Sequence, residues 1–147
     1  MIRVAMTSVY VDDVPKAHAF YTDVLGFETR TRLDLGDGTL FVTVGAPQGA
    51  QPDLQLLLEP GQGALADPYR RAVYEAGLPA IVFSVDDIRS EYDRLRALGV
   101  RFPHEPQDQG PVVAAVLDDT VGNLIQLTQP KGRGASEPGA RPPAGSA

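Results

Sequence analysis

The chain reads as an α+β protein built from two similar βαβββ halves. Val85-Asp86-Asp87-Ile88 repeats Val11-Asp12-Asp13-Val14, and Leu98-Gly99-Val100 repeats Leu25-Gly26-Phe27 with one residue fewer between. Each copy has the same order of strand, capped helix, glycine stop and strand, and such internal repetition decides architecture before any single element does. Two copies are too few to stack as a solenoid, so the halves belong to one domain. Module one spans about 1–60, a linker helix about 66–77, and module two about 79–129. A chain of 147 residues is long enough to bury roughly two-thirds of its unfolded surface.

The elements follow in order. From Arg3 to Val11 the side chains alternate, with Thr7, Val9 and Val11 on one face and Met6, Ser8 and Tyr10 on the other, as strand geometry requires. Asp12 or Asp13 caps the next helix, and Pro15 is tolerated in its first turn. Val14, Ala17, Phe20, Tyr21, Val24 and Leu25 form one apolar stripe. Gly26 supplies the left-handed stop. Residues 27–32, 38–44 and 54–59 read as three strands, with Asp37-Gly38 as the hairpin turn between the first two. In the third, Leu54, Leu56 and Leu58 share a face, opposite Gln55, Leu57 and Glu59. Asp67-Pro68 reads as the cap and start of the linker helix, which ends near Gly77.

The second half repeats the plan. Residues 80–85 form its first strand, with Ile81, Phe83 and Val85 opposite Ala80, Val82 and Ser84. Asp86 or Asp87 caps a helix whose buried stripe is Ile88, Tyr92, Leu95 and Leu98, closed by Gly99. Residues 101–104, 112–117 and 124–128 supply three more strands, the last setting Ile125 and Leu127 against Leu124, Gln126 and Thr128. The stretch 130–147 is dense in Gly and Pro without apolar periodicity, so it is expected to be a disordered tail.

Composition excludes several function classes. The chain has no cysteine, which removes disulfides, thiolate metal sites and a cysteine nucleophile, and agrees with a cytoplasmic location. The N-terminal MIRVAMTSVYV has neither a signal-peptide nor a membrane-span pattern. A formal net charge of -6, without any Lys/Arg stripe to reverse it locally, argues against nucleic acid as a partner.

VDD…AFYTDVLGF, the second VDD…LRALGV and the closing GNLIQL, in this order of elements, resemble the vicinal oxygen chelate superfamily. That superfamily includes glyoxalase I, extradiol dioxygenases and bleomycin-resistance proteins. The resemblance covers residues 1 to about 129. It implies paired modules curved into a half-open, eight-stranded cup with the helices outside, often completed in a homodimer. It also implies metal ligands at four inward strand positions, which fall here at Met6, Gln55, Ala80 and Gln126. A thioether, a methyl group and two neutral amides do not supply the donors a divalent metal needs, so no metal and no cofactor are expected. Where the family has Pro after Asp119, this chain has Thr120.

Strand alternation independently places the same four residues on the side away from the helices. That face is expected to bind a small molecule through Met6, Tyr10, Gln55, Leu57, Glu59, Ser84 and Gln126, since apolar walls give affinity and a few polar groups set orientation. Each has a plainer role open to it: the glutamines as amides bonded to each other or to water, Tyr10 as wall, Glu59 as a solvated rim carboxylate. Glu59 and His104 are the catalytic candidates, His104 with Glu105 as an acid/base couple at the cup mouth. His18 falls opposite the apolar stripe, at the surface. Gly61-Gln62-Gly63 lacks the third glycine and the context of a dinucleotide fingerprint.

Three functions stay open. The first is a metal-free module that sequesters an antibiotic or metabolite, although five Phe, five Tyr and no Trp give a large flat drug little aromatic surface to stack on. The second is a metal-independent isomerase, hydrolase or cyclase in which the glutamines hold an oxyanion. The third is a metal-dependent lyase or dioxygenase, which needs a different strand register.

Overall fold

The computed structural model describes residues 1–132. The tail expected over 130–147 therefore lies almost wholly outside the described residues; Pro130 itself ends the last strand. Module one comprises β1 (Met6–Val11), α1 (Val14–Ala19), β2 (Glu28–Asp34), β3 (Leu40–Gly45) and β4 (Gln55–Pro60). After α2 (Ala66–Glu75), module two comprises β5 (Pro79–Ser84), α3 (Ile88–Ala97), β6 (Gln107–Asp108), β7 (Val112–Asp118) and β8 (Leu124–Pro130). The two four-stranded mixed sheets have matching orders, β1-β4-β3-β2 and β5-β8-β7-β6, and stay open. In each, the module's first and last strands run parallel and the remaining pairs antiparallel.

The helices start where the repeated Asp-Asp pairs predict. Asp13 accepts the N–H of Lys16 at 3.0 Å, and Asp87 that of Ser90 at 3.1 Å, so the second aspartate of each pair is the cap. α1 widens into a π-helical turn over Phe20–Val24. Gly26 (φ +92°) and Gly99 (φ +89°) then reverse the chain in a conformation that side chains resist.

Several details depart from the sequence reading. The β2–β3 connection is not a two-residue Asp37-Gly38 turn but a longer loop closed by the Leu35 N–H on the Thr39 carbonyl, with Asp37 capping the Thr39 N–H. Residues 101–104 form no strand; Pro103 and Pro106 lack the N–H a ladder needs, and pairing with β7 begins only at Gln107. Asp67 does not cap α2, which starts a residue earlier; it sits in the first turn and pairs with Arg70 and Arg71. Leu98 is 57 % exposed, outside the buried stripe that Ile88, Tyr92 and Leu95 make.

One core joins the modules. Val9, Val11, Leu56, Leu58, Val42 and Val44 lie beneath Val14, Ala17, Phe20 and Tyr21, continuous with Ile125, Leu127, Leu117 and Ala115 beneath Ile88 and Leu95. Phe27 at the entry to β2 meets Phe83 of β5 edge to face, with ring centroids 5.0 Å apart. Because apolar side chains from both halves fill the same space, neither half buries its sheet alone.

Candidate functional site

In β1, β4, β5 and β8 alternate residues are the more buried, which leaves the other face of these strands the more open, while in β3 Thr43 on that face is buried as well. The β1–β4 register sets Met6 beside Gln55, Ser8 beside Leu57 and Tyr10 beside Glu59. β3 and β2 extend the row, with Thr43 beside Leu57 and Thr31 beside Thr43. The hydroxyls of Thr43 (2.6 Å) and Thr31 (3.4 Å) donate to Gln55 Oε1, so this amide is held against its own sheet. On the second sheet Val82 stands opposite Gln126 and Ser84 opposite Thr128. A register shift between Pro79 and Ile81 leaves Ala80 without a direct partner on β8. Gln126 Nε2 donates to Thr128 Oγ1 at 3.1 Å. The two glutamines thus bond to threonines of their own sheets.

The residues expected to bind a ligand fall into two rows, with Met6, Tyr10, Gln55, Leu57 and Glu59 on one sheet and Ser84 and Gln126 on the other. Glu59 is half-buried. His104 stands apart. It is exposed, and its neighbour Glu105 lies 4.0 Å from Arg89 in the first turn of α3, beside the helix layer. His18 meets Thr29 Oγ1 at 2.6 Å, away from these rows.

Sequence reasoning missed Arg30. Its guanidinium donates to the carbonyls of Ala46, Ala50, Gln51, Pro52 and Leu54 and packs over Gly45, where a Cβ would come within 2.3 Å of it. The planar fork gathers the link 46–54 into one shape just before Gln55. The signal was present in the Gly/Pro/Gln-rich link, whose carbonyls need a donor somewhere.

A second polar centre bolts the modules together. Asp119 is fully buried, and its Oδ2 accepts Tyr21 Oη at 2.7 Å and Asn123 Nδ2 at 2.9 Å. Its Oδ1 accepts the N–H groups of Val121 and Asn123. Asn123 Nδ2 also donates to the Tyr10 carbonyl at 2.8 Å, and Asp12 N–H to the Val121 carbonyl at 3.0 Å. Burial pushes both the Asp119 carboxyl and the Tyr21 phenol up. Burial also acts on Asp118, but hydrogen bonds from Tyr74, the Thr120 N–H and Arg101 prevail and hold its carboxyl below the usual range. Thr120 has φ +64°, which proline cannot adopt, and its N–H donates to Asp118 Oδ1 at 2.8 Å.

Between β1, β5 and α2 lies a seam cavity of about 240 Å³, lined in part by Ser8, Tyr10, Arg70 and Ala80. Another concavity of about 310 Å³, at the entry to α1, holds none of the residues expected to bind ligand. Among the described residues no three His, Asp or Glu side chains gather as a metal site would require, and no helix is long and apolar enough to cross a membrane.

Paired βαβββ modules around open polar-and-apolar sheet faces define a class, and the sequence agrees. The profile of the Glyoxalase/Bleomycin resistance protein/Dioxygenase superfamily matches residues 3–127, and the chain belongs to that superfamily. It is 41 % identical to the uncharacterised protein YurT of Bacillus subtilis (strain 168) over 128 residues, 87 % of this chain and 99 % of YurT. The crystal structure of UcmS2 superposes with a TM-score of 0.74 at 28 % identity, covering 87 % of this chain and 98 % of UcmS2. TnmS3, an antibiotic binding protein from Streptomyces sp. CB03234, superposes with a TM-score of 0.67 at 28 % identity, covering 89 % of this chain and 98 % of TnmS3.

Proposed function

We propose that this protein binds a small organic molecule between its open sheet faces and does so without a metal. The carrying observation is the donor set at the family's ligand positions. Met6 offers a thioether and Ala80 nothing, while the oxygen of Gln55 is engaged by two hydroxyls and Gln126 bonds to Thr128. Such a set does not fit a divalent cation, which takes three or four hard or borderline donors. It does suit an organic ligand, because Met6, Leu57 and Val82 offer apolar contact and Tyr10, Gln55, Ser84 and Gln126 offer hydrogen bonds.

The likeness to TnmS3 supports an antibiotic or similar natural product as the ligand class, with sequestration as the outcome. Met6 is 44 % exposed and Val82 55 %, both on open faces, and a second copy of the chain would cover them as it completes the cup. The location that fits this reading is the cytoplasm.

The test is a thermal-shift panel of antibiotics and metabolites, run with and without chelator. A ligand present at roughly 100 times its Kd stabilises by about 2.7 kcal/mol, and chelator should leave both Tm and binding unchanged. A stoichiometric transition metal retained through dialysis would overturn the metal-free reading. Turnover of the bound compound that is lost in Glu59→Gln would instead favour the metal-independent enzyme, with half-buried Glu59 as its base.

A further inference from the structure

Arg70 is 7 % exposed, yet much of its hydrogen-bonding capacity is unused. Nη2 meets Asp67 Oδ1 at 2.7 Å and Nη1 reaches the Gly122 carbonyl at a long 3.4 Å, while the buried Nε has no partner. A guanidinium carries five N–H donors, and burying one without acceptors is costly. Nor is its charge cancelled. Asp67 is shared with Arg71, through Oδ2 at 2.8 Å, so one carboxylate serves two guanidiniums and the cluster keeps a net positive charge in an acidic chain.

This group borders the seam cavity of about 240 Å³, whose walls also include Val9, Val73, Pro79 and the tyrosines Tyr10 and Tyr69. Gly122 makes the arrangement fit. Its φ is +98°, and a Cβ there would come within 1.9 Å of Arg70 Nη1. A cation short of acceptors, beside hydroxyls and apolar walls, is the environment a small organic acid needs. The guanidinium takes the carboxylate, and the apolar walls take its carbon skeleton.

We infer that the seam between α2, β1 and β5 is a carboxylate-binding site in which Arg70 holds an organic acid, with Ser8 and Tyr10 as further polar contacts. The apolar walls favour an organic carboxylate over inorganic phosphate, which would leave them unfilled. This site goes beyond the cup reading, although Ser8, Tyr10 and Ala80 border both spaces.

The experiment follows the Nε–H signal of Arg70 in the folded wild-type protein by ¹⁵N–¹H NMR, assigned through its own backbone. Acetate and benzoate are titrated beside their neutral amides and inorganic phosphate. A saturable shift of this one signal with the carboxylates, stronger for benzoate and absent with the amides, is the expected result. Arg70→Lys, which keeps the charge but loses the fork, should bind benzoate at least roughly tenfold more weakly. A signal that stays still, or that moves equally with amides or phosphate, overturns the assignment without needing any variant to fold. Uncharged compounds that bind without moving this signal, while carboxylates also leave it still, would sink the seam site and leave the cup reading standing. Carboxylates that move it while no uncharged compound binds would support the seam site and count against the cup reading.

Discussion

Tyr21 on the helical segment of module one donates its hydroxyl to Asp119 in the β7–β8 turn of module two at 2.7 Å, with both residues fully buried. This contact spans 98 positions of sequence and ties the two halves through a carboxylate that three further donors also hold. Tyr21→Phe keeps the ring against Phe27 and Phe83 but leaves Asp119 short of a donor. The unfolding free energy should fall by about 1.5–3 kcal/mol, measured by urea titration with an unchanged m-value.

Asp118 and Asp119 should respond oppositely to acid. The Asp118 carboxyl is lowered in the fold, so the stability it contributes is present above the unfolded value near 3.9 and is lost as pH falls through its folded value. Asp119 is raised, so the folded state holds its proton more tightly and gains stability as pH falls through that raised value toward 3.9. Removing the Arg101 partner in Arg101→Gln should flatten the acid limb below about pH 4. Asp119→Asn should instead remove the compensating gain above it. Urea midpoints across pH 3–7 read both.

Arg30 gathers five carbonyls of the link that leads into β4. In Arg30→Ala amide exchange over residues 46–54 should quicken by roughly tenfold or more, while the amides of β8 keep their protection. Arg30→Lys should not restore it, because an ammonium has three donors on one centre and cannot span the same carbonyls.

Thr43 is buried, and its hydroxyl donates to Gln55 Oε1 at 2.6 Å. Thr43→Val keeps the shape and releases the amide. Affinity for a ligand found in the thermal-shift panel should fall roughly fivefold, the equivalent of about 1 kcal/mol, as calorimetry would show. An unchanged Kd would mean that the orientation of Gln55 does not matter to the ligand.

The parts of the fold legible in sequence were those that depend on local chemistry. Repeated Asp-Asp caps, glycine stops and period-two alternation each operate within a few residues, so the βαβββ order and the two sheet faces followed from them. The short β6 was not legible, because Pro103 and Pro106 displace pairing to a place that only β7 selects. The open-face residues were legible as types. Their bonding was not, since Gln55 finds Thr43 and Thr31 through strand neighbours 12 and 24 positions away.

What the sequence by itself determined is therefore the architecture and which side chains, Met6, Gln55 and Gln126 among them, alternate to the face away from the helices. Only the tertiary structure decided how those groups are held. It also showed that Asp119 serves as a clamp between modules, and that Arg70 lies buried with donors to spare. The reason is physical. Capping and alternation are set by neighbours along the chain, whereas the partners of a buried charge come from whichever distant segments the packing brings beside it.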